Sequence, residues 1–382
     1  MTTSIESLAE LHGIVKQSNP PPAAMHVGEI TERPPTRVLE ATQAAIQNDP
    51  LGYTESQGYQ PLREEIANDM TTRKGIICAA QDILVVPGVK QGLFYLFHHL
   101  LEPGDEVILP TPHWSIYDSQ IRHHGGVPVH TPLSWTGLLD LKHLEKCITP
   151  RTKVLVLCSP HNPTGTILPR PHLRDIAALL EDHPNITILS DEIYEHLDYN
   201  GLHTAVASLD TLKDRTYTLG GFSKSHCMTG YRLGYIIRTS SERTSSEKTT
   251  HSDITQLTKL QSIICTCPST IAQHTALRLY RMEYLEQEGV LQRNMLDRRR
   301  IELVEAFKTC PYYLPTGAFY FFYKPKCPNN DDRAYCTALL EQGVAVAPGS
   351  FFGKPGYIRV SYACSEADFR RGLQQLKMSL QE

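Results

Sequence analysis

The sequence predicts an α/β protein in which a mostly parallel central sheet fills a large domain and a smaller α+β domain completes the chain. Three observations predict it. From residue 83 to residue 237 short apolar strands alternate with helices of roughly ten residues, the pattern of a sheet covered on both faces. Beyond about residue 280 the alternation changes character. Asn162, Asp191 and Lys224 each fall just past or at the carboxyl end of a predicted strand, the rim on which open parallel sheets collect ligands. The expected division is 1–48 as an N-terminal helix and part of the small domain, 49–280 as the large domain, and 281–382 as the C-terminal small domain.

Ile5, Leu8, Leu11, Ile14 and Val15 recur at helical spacing, so the first 18 residues read as an amphipathic helix with Glu6, Glu10 and His12 on or near its polar side. Asn19 to Pro22 break it. Helices are expected over 36–47 and 61–72, separated by a loop carrying Gly52, Tyr53 and Gly58. Ile83 to Val86 is a strand, Pro87-Gly88-Val89 a turn, and Lys90 to Leu101 a helix with Leu93, Leu96 and Phe97 inward. A glycine turn running into a helix leaves unpaired backbone N–H groups, a ready site for an anion.

Strands at 106–109, 127–129, 153–158 and 186–189 follow, with helices from about Ser115, over 139–147, over 170–181 and over 192–197. Thr216 to Leu219 and Leu233 to Ile237 are further strands. Residues 239–253 form a polar Ser/Thr-rich run without apolar periodicity, which predicts a loop. Helices then continue to about Phe307, including a long one across 270–290. Strands at 318–323, 344–346 and 357–362 and a closing helix over 366–380 complete the chain.

Composition excludes several function classes. A net charge of -4 and a pI near 6.5 give no basic footprint for nucleic acid. The cluster Arg298 to Arg300 reads as a solvated helix face. The ten cysteines are scattered without a CxxC pair, Cys265 and Cys267 being closest, which fits reduced thiols; no metal-ligand set is assigned. The first 25 residues lack a signal-peptide core, and no run reaches the ~18 apolar residues of a membrane span, so a soluble cytoplasmic protein is expected.

The stretch LGGFSKSHCMTGYRLGY, Leu219 to Tyr235, concentrates the chemistry. Gly220 and Gly221 end a buried strand, and Ser223 and Lys224 sit where it gives way to a loop. A lysine between two buried strands loses pKa through desolvation, which frees its amine for Schiff-base formation. GGFSK does not match the phosphate loop GxxxxGK[ST], because the spacing is wrong.

SPHNPTG (159–165), SDEIYEHL (190–197), FSKSHCMTGYRLGY (222–235), PTGAFY (315–320) and IRVSYA (358–363) together resemble the class I/II aminotransferases. GYTESQGYQPLREEI, VPGVKQGLFYLF and EPGDEVILPTPHW extend the likeness over 52–114. The resemblance implies the fold-type I arrangement of pyridoxal 5'-phosphate (PLP) enzymes, with 49–280 as the PLP-binding domain.

By this resemblance Lys224 holds PLP as a Schiff base and moves the substrate proton, and Asp191 pairs with the pyridine nitrogen. Asn162 and Tyr194 hydrogen-bond the ring's 3-oxygen, and Trp114 stacks on its face. The backbone at Gly88, Val89 and Lys90, with Arg232 and Ser223, holds the phosphate. Tyr53 reaches the phosphate of a neighbouring subunit, which implies a homodimer with shared sites. Arg359 binds the substrate α-carboxylate, with Gly28 letting backbone approach it. One departure falls near the substrate: many relatives read GEPDF where this chain has Gly28-Glu29-Ile30-Thr31-Glu32.

The implied activity is transfer of an amino group between an L-amino acid and a 2-oxo acid. A second reading on the same scaffold is a lyase or cyclase of specialised metabolism that acts on a modified amino acid, with Glu6, Glu10 and His26 receiving a cationic, hydroxylated arginine-like side chain. A ligand-sensing regulator with an N-terminal DNA-binding domain is disfavoured, because only some 25 residues precede Gly28.

Overall fold

The protein is described by a computed structural model covering residues 5–30, 34–239, 253–282 and 284–380. Edge to edge, its large sheet runs Ile83–Val86, Gly234–Arg238, Thr216–Gly221, Thr187–Asp191, Thr152–Cys158, Glu106–Thr111 and Val127–Pro132. The last five pair in parallel, and Gly234–Arg238 is antiparallel to both its neighbours. The apolar alternation explains how the sheet is covered. Leu84 and Val86 share a core with Leu93 and Leu96 of helix Val89–Leu100. Ile83 and Val85 pack instead with Val38, Leu62 and Ala272, from helices Thr36–Asn48, Gln60–Lys74 and Thr270–Arg281. Full burial of each such aliphatic side chain contributes about 1.5–3 kcal/mol, so both layers are held firmly.

A second, antiparallel sheet runs Ala347–Pro348, Ile358–Ser361, Tyr320–Tyr323 and Tyr312–Tyr313. The chain's beginning joins this region: Ala23–Ala24 pairs in parallel with Val344–Ala345, and Ser361 N–H donates to the Met25 carbonyl at 2.8 Å. Residues 26–28 are thereby positioned next to the strand that carries Arg359. None of the ten cysteines is in a disulfide. Among the described residues no helix is long and apolar enough to cross a membrane.

Four expectations need correction or restriction. Residues 192–197 form no helix: Glu195 N–H donates to the Glu192 carbonyl and Leu197 N–H to that of Tyr194, as successive turns. Asp191 Oδ1 accepts from Ile193 N–H and the Glu192 carboxylate from Val206 N–H, so side chains take backbone donors away from a helical ladder. The long helix across 270–290 is two elements, Thr270–Arg281 and Tyr284–Ala306. Arg299 is not solvated, since it is 2% exposed and donates to the carbonyls of Tyr362 and Cys364 and to Glu366. The expected loop over 239–253 lies, from 240 to 252, outside the described residues.

Candidate active site

Three strand ends and one residue from the second sheet converge. Lys224 follows the strand Thr216–Gly221 by three residues, and its Nζ donates to the Gly28 carbonyl at 2.5 Å. Burial lowers its pKa to about 8, against the opposing pull of Glu29 and Asp191 and with help from Arg359 and Arg232. A usable fraction of the amine is therefore uncharged near neutral pH. Asp191 is the last residue of its strand. Its Oδ2 accepts from the Tyr117 hydroxyl at 2.7 Å, and burial raises its pKa to about 6 despite that bond. A buried carboxyl with two donors and, among the described residues, no ion pair is primed for a cationic partner.

Arg359 is buried in the strand Ile358–Ser361. Its Nη1 donates to Asn162 Oδ1 at 3.0 Å and its Nη2 to the His26 carbonyl at 2.6 Å, while its plane packs between Tyr320 and Phe352 at 4.6 Å from each ring. Its Nε is buried and has no hydrogen-bond partner among the described residues. A fixed guanidinium with donor capacity left over suits a carboxylate. Asn162 spends its oxygen on Arg359. The Tyr194 hydroxyl meets the Tyr320 hydroxyl at 2.7 Å, and burial keeps both phenols protonated. A Cβ on Gly28 would lie 2.5 Å from that Tyr320 oxygen, so only glycine allows this close approach.

The glycine turn forms the other end of the site. Gly88 has φ +86° and caps helix Val89–Leu100 without a side-chain bond. A Cβ there would lie 2.5 Å from Arg232 Nη2, so the guanidinium rests against the bare α-carbon beside the helix start. Arg232 is itself held by Nη1 donating to the Thr229 carbonyl at 2.9 Å. The site thus pairs a helix N-terminus with a fixed cation, two features that favour the same anion. Ser223 is buried nearby in sequence, between the strand and Lys224. Half-buried Trp114 faces Lys90 Nζ at 5.3 Å from its ring and meets Tyr117 edge-on at 5.6 Å.

The predicted residues do not all converge equally. His26 contributes its carbonyl to Arg359. Its ring is buried, pushed down to a pKa of about 3 by desolvation and by its neighbours His12 and Arg359, and its Nε2 lies 3.3 Å from His12 Nδ1. Glu10 is exposed and its carboxylate accepts from Glu6 N–H at 2.9 Å, so it caps its own helix and is not brought to Lys224. Tyr53 is 88% exposed. Tyr117 and Tyr320 are two site residues that sequence reasoning missed. Tyr117 lies one helical turn past Trp114, and Tyr320 ends the PTGAFY motif; those positions were the only signals.

Residues 24–376 match the family model for aminotransferase class I and II. The chain belongs to the class I/II aminotransferases. It is 34% identical over 368 residues to a probable aspartate/prephenate aminotransferase of Thermus aquaticus, covering 94% of this chain and 91% of the relative. It is 35% identical over 348 residues to the aspartate aminotransferase of Thermotoga maritima, covering 90% and 87%. The solved Thermus thermophilus aspartate aminotransferase with maleate superposes with a TM-score of 0.89 at 31% identity, covering 98% of this chain and 97% of that one. Members of this family are PLP-dependent, and the residues gathered here fit that cofactor: an anion cradle at Gly88, a buried carboxyl in no ion pair among the described residues, and a lysine with a depressed pKa.

Proposed function

We propose that this aminotransferase holds PLP between Lys224, Asp191 and the Gly88–Arg232 cradle and moves the amino group of an acidic L-amino acid to a 2-oxo acid. The single observation that carries the reading is the convergence of Lys224, Asp191 and Arg359 from three separate parts of the chain. PLP, when bound, supplies an electron sink that acidifies the substrate α-carbon. Asp191 would stabilise a positive charge on the cofactor's nitrogen, with Tyr117 holding that carboxylate in line. Asn162 and Tyr194 would offer it hydrogen bonds, and Trp114 would offer it an aromatic face. Arg359 fixes the α-carboxylate, which leaves the α-hydrogen within the orbit of the Lys224 amine. That amine, with its depressed pKa, would be the group that takes up the α-proton and hands it on.

The acidic substrate class is supported by the relatives' names, by the maleate in a solved relative, and by a cation beside Trp114. Lys90 Nζ lies over Trp114 and forms no ion pair among the described residues. His26, kept neutral by burial, sets a hydrogen-bonding ring without a charge beside Arg359. We further propose a cytoplasmic homodimer in which exposed Tyr53 serves the neighbouring site, with 49–280 and 281–382 as the large and small domains.

The test is an amino-acid panel with purified enzyme, PLP and 2-oxoglutarate, read as glutamate formed and 2-oxo acid released, together with sedimentation. Aspartate is expected to give equimolar glutamate and oxaloacetate from a dimer. A dehydrated or cyclised product without glutamate would replace transfer with lyase or cyclase chemistry, and a fully active monomer would remove Tyr53 from the site.

A further inference from the structure

We propose that His113, Asp118 and His130 form a divalent-metal site of zinc type that clamps the wall of the active site. One nitrogen of each histidine and a carboxylate oxygen of Asp118 lie within 4.8 Å of one another. His130 Nε2 is 3.1 Å from Asp118 Oδ1, and His113 Nε2 is in hydrogen-bond contact with Asp118 Oδ2. Donors around a tetrahedral zinc stand about 3.3 Å apart, given metal–ligand bonds of about 2.0–2.2 Å. A small spreading of the three side chains therefore admits the ion.

The set has the other marks of a built site. His113 is 3% exposed, and its backbone N–H donates to the Phe352 carbonyl at 3.0 Å. Its second ring nitrogen meets Thr111 Oγ1 at 3.2 Å, the outer-shell contact that fixes the orientation of a ligating histidine. His130 is exposed at the rim, leaving room for water as a fourth ligand. Arg122 reaches Asp118 only at 4.0 Å, from an exposed position that it can leave.

The second acid–histidine group, Glu192, Glu195 and His203, differs in one decisive respect. Buried Lys74 already pairs with both of its carboxylates, so a metal there would meet an ammonium.

The location gives the site its role. His113 precedes Trp114, and Asp118 follows Tyr117, whose hydroxyl holds Asp191. A metal joining His113, Asp118 and the neighbouring strand's His130 ties down both ends of the segment that carries these two site residues.

The test uses chelator-treated holoenzyme with zinc in equilibrium dialysis and cobalt(II) in absorption spectroscopy. Expected are one ion per chain, tetrahedral cobalt bands without a thiolate charge-transfer band, and a melting temperature raised by several degrees at saturating zinc. His130→Ala and Asp118→Asn, checked for fold by circular dichroism, should each weaken binding by roughly 100-fold or more and abolish the temperature shift. No saturable binding, a thiolate band, or binding unchanged in both correctly folded variants would each overturn the assignment. None of these readouts depends on the substrate.

Discussion

The depressed pKa of Lys224 has a kinetic consequence that can be worked out in advance. PLP reacts with an amine, not an ammonium, so the rate of cofactor capture by apoenzyme follows the free-amine fraction. With a pKa of about 8, roughly one lysine in ten is uncharged at pH 7, whereas at the ordinary 10.5 the figure is about one in three thousand. Burial is the main cause, and Arg359 and Arg232 add to it, while Glu29 and Asp191 oppose it. The capture rate should therefore rise about tenfold per pH unit up to pH 8 and then level off. Stopped-flow mixing of apoenzyme with PLP between pH 6 and 10, followed by cofactor absorbance, measures this. A rate that keeps climbing tenfold per unit beyond pH 9 would refute the reasoning, because it would mean that Lys224 titrates like a solvated lysine. Glu29→Gln removes the largest opposing charge and should move the plateau to lower pH.

Three further substitutions probe separate parts of the site. Asp191→Ala removes the carboxylate that ends the strand Thr187–Asp191 and should lower kcat by roughly 10²–10³-fold, with PLP still bound, as checked by turnover and cofactor absorbance. Tyr117→Phe deletes the 2.7 Å bond to Asp191; the carboxyl pKa should rise, and the acid limb of the kcat profile should move to higher pH by a measurable fraction of a unit. Arg359→Lys keeps the charge but loses the planar fork and its bonds to Asn162 and His26. KM for the amino acid should rise by roughly 10²-fold in steady-state assays, more than kcat falls.

Much of this was legible in the chain because strand ends announce themselves. An apolar run that stops at Asp191, or at Gly220-Gly221 before Lys224, fixes which side chains reach the rim of a parallel sheet, and the motifs around them assign the chemistry. The turn at 192–197 was not legible. Its apolar and acidic spacing imitates a helix, and only tertiary partners, Val206 N–H for Glu192 and Tyr320 for Tyr194, show that its side chains are committed elsewhere. Buried Arg299 misled for a related reason: three consecutive arginines look like a solvated face until the carbonyls of Tyr362 and Cys364 are seen to accept from the middle one. The His113–Asp118–His130 group hid because one member comes from the next strand, so no local spacing betrays it.

The arrangement at residues 26–28 shows why this short segment departs from the rest of the chain's logic. It belongs to no long helix or strand, yet two of its carbonyls accept from the two most consequential cations of the site, His26 from Arg359 and Gly28 from Lys224. Backbone carbonyls are suited to that task, since they orient a cation without neutralising it: Arg359 keeps its charge for a carboxylate, and Lys224 can still lose its proton. The segment is held in turn by the pairing of Ala23–Ala24 with Val344–Ala345 and by the Ser361-to-Met25 bond. Gly28 itself has no tolerance for a side chain, because the Tyr320 hydroxyl fills the space. The side chain at Glu29 can therefore change with the substrate, while positions 26 and 28 are constrained by backbone bonds that do not depend on which amino acid the enzyme takes.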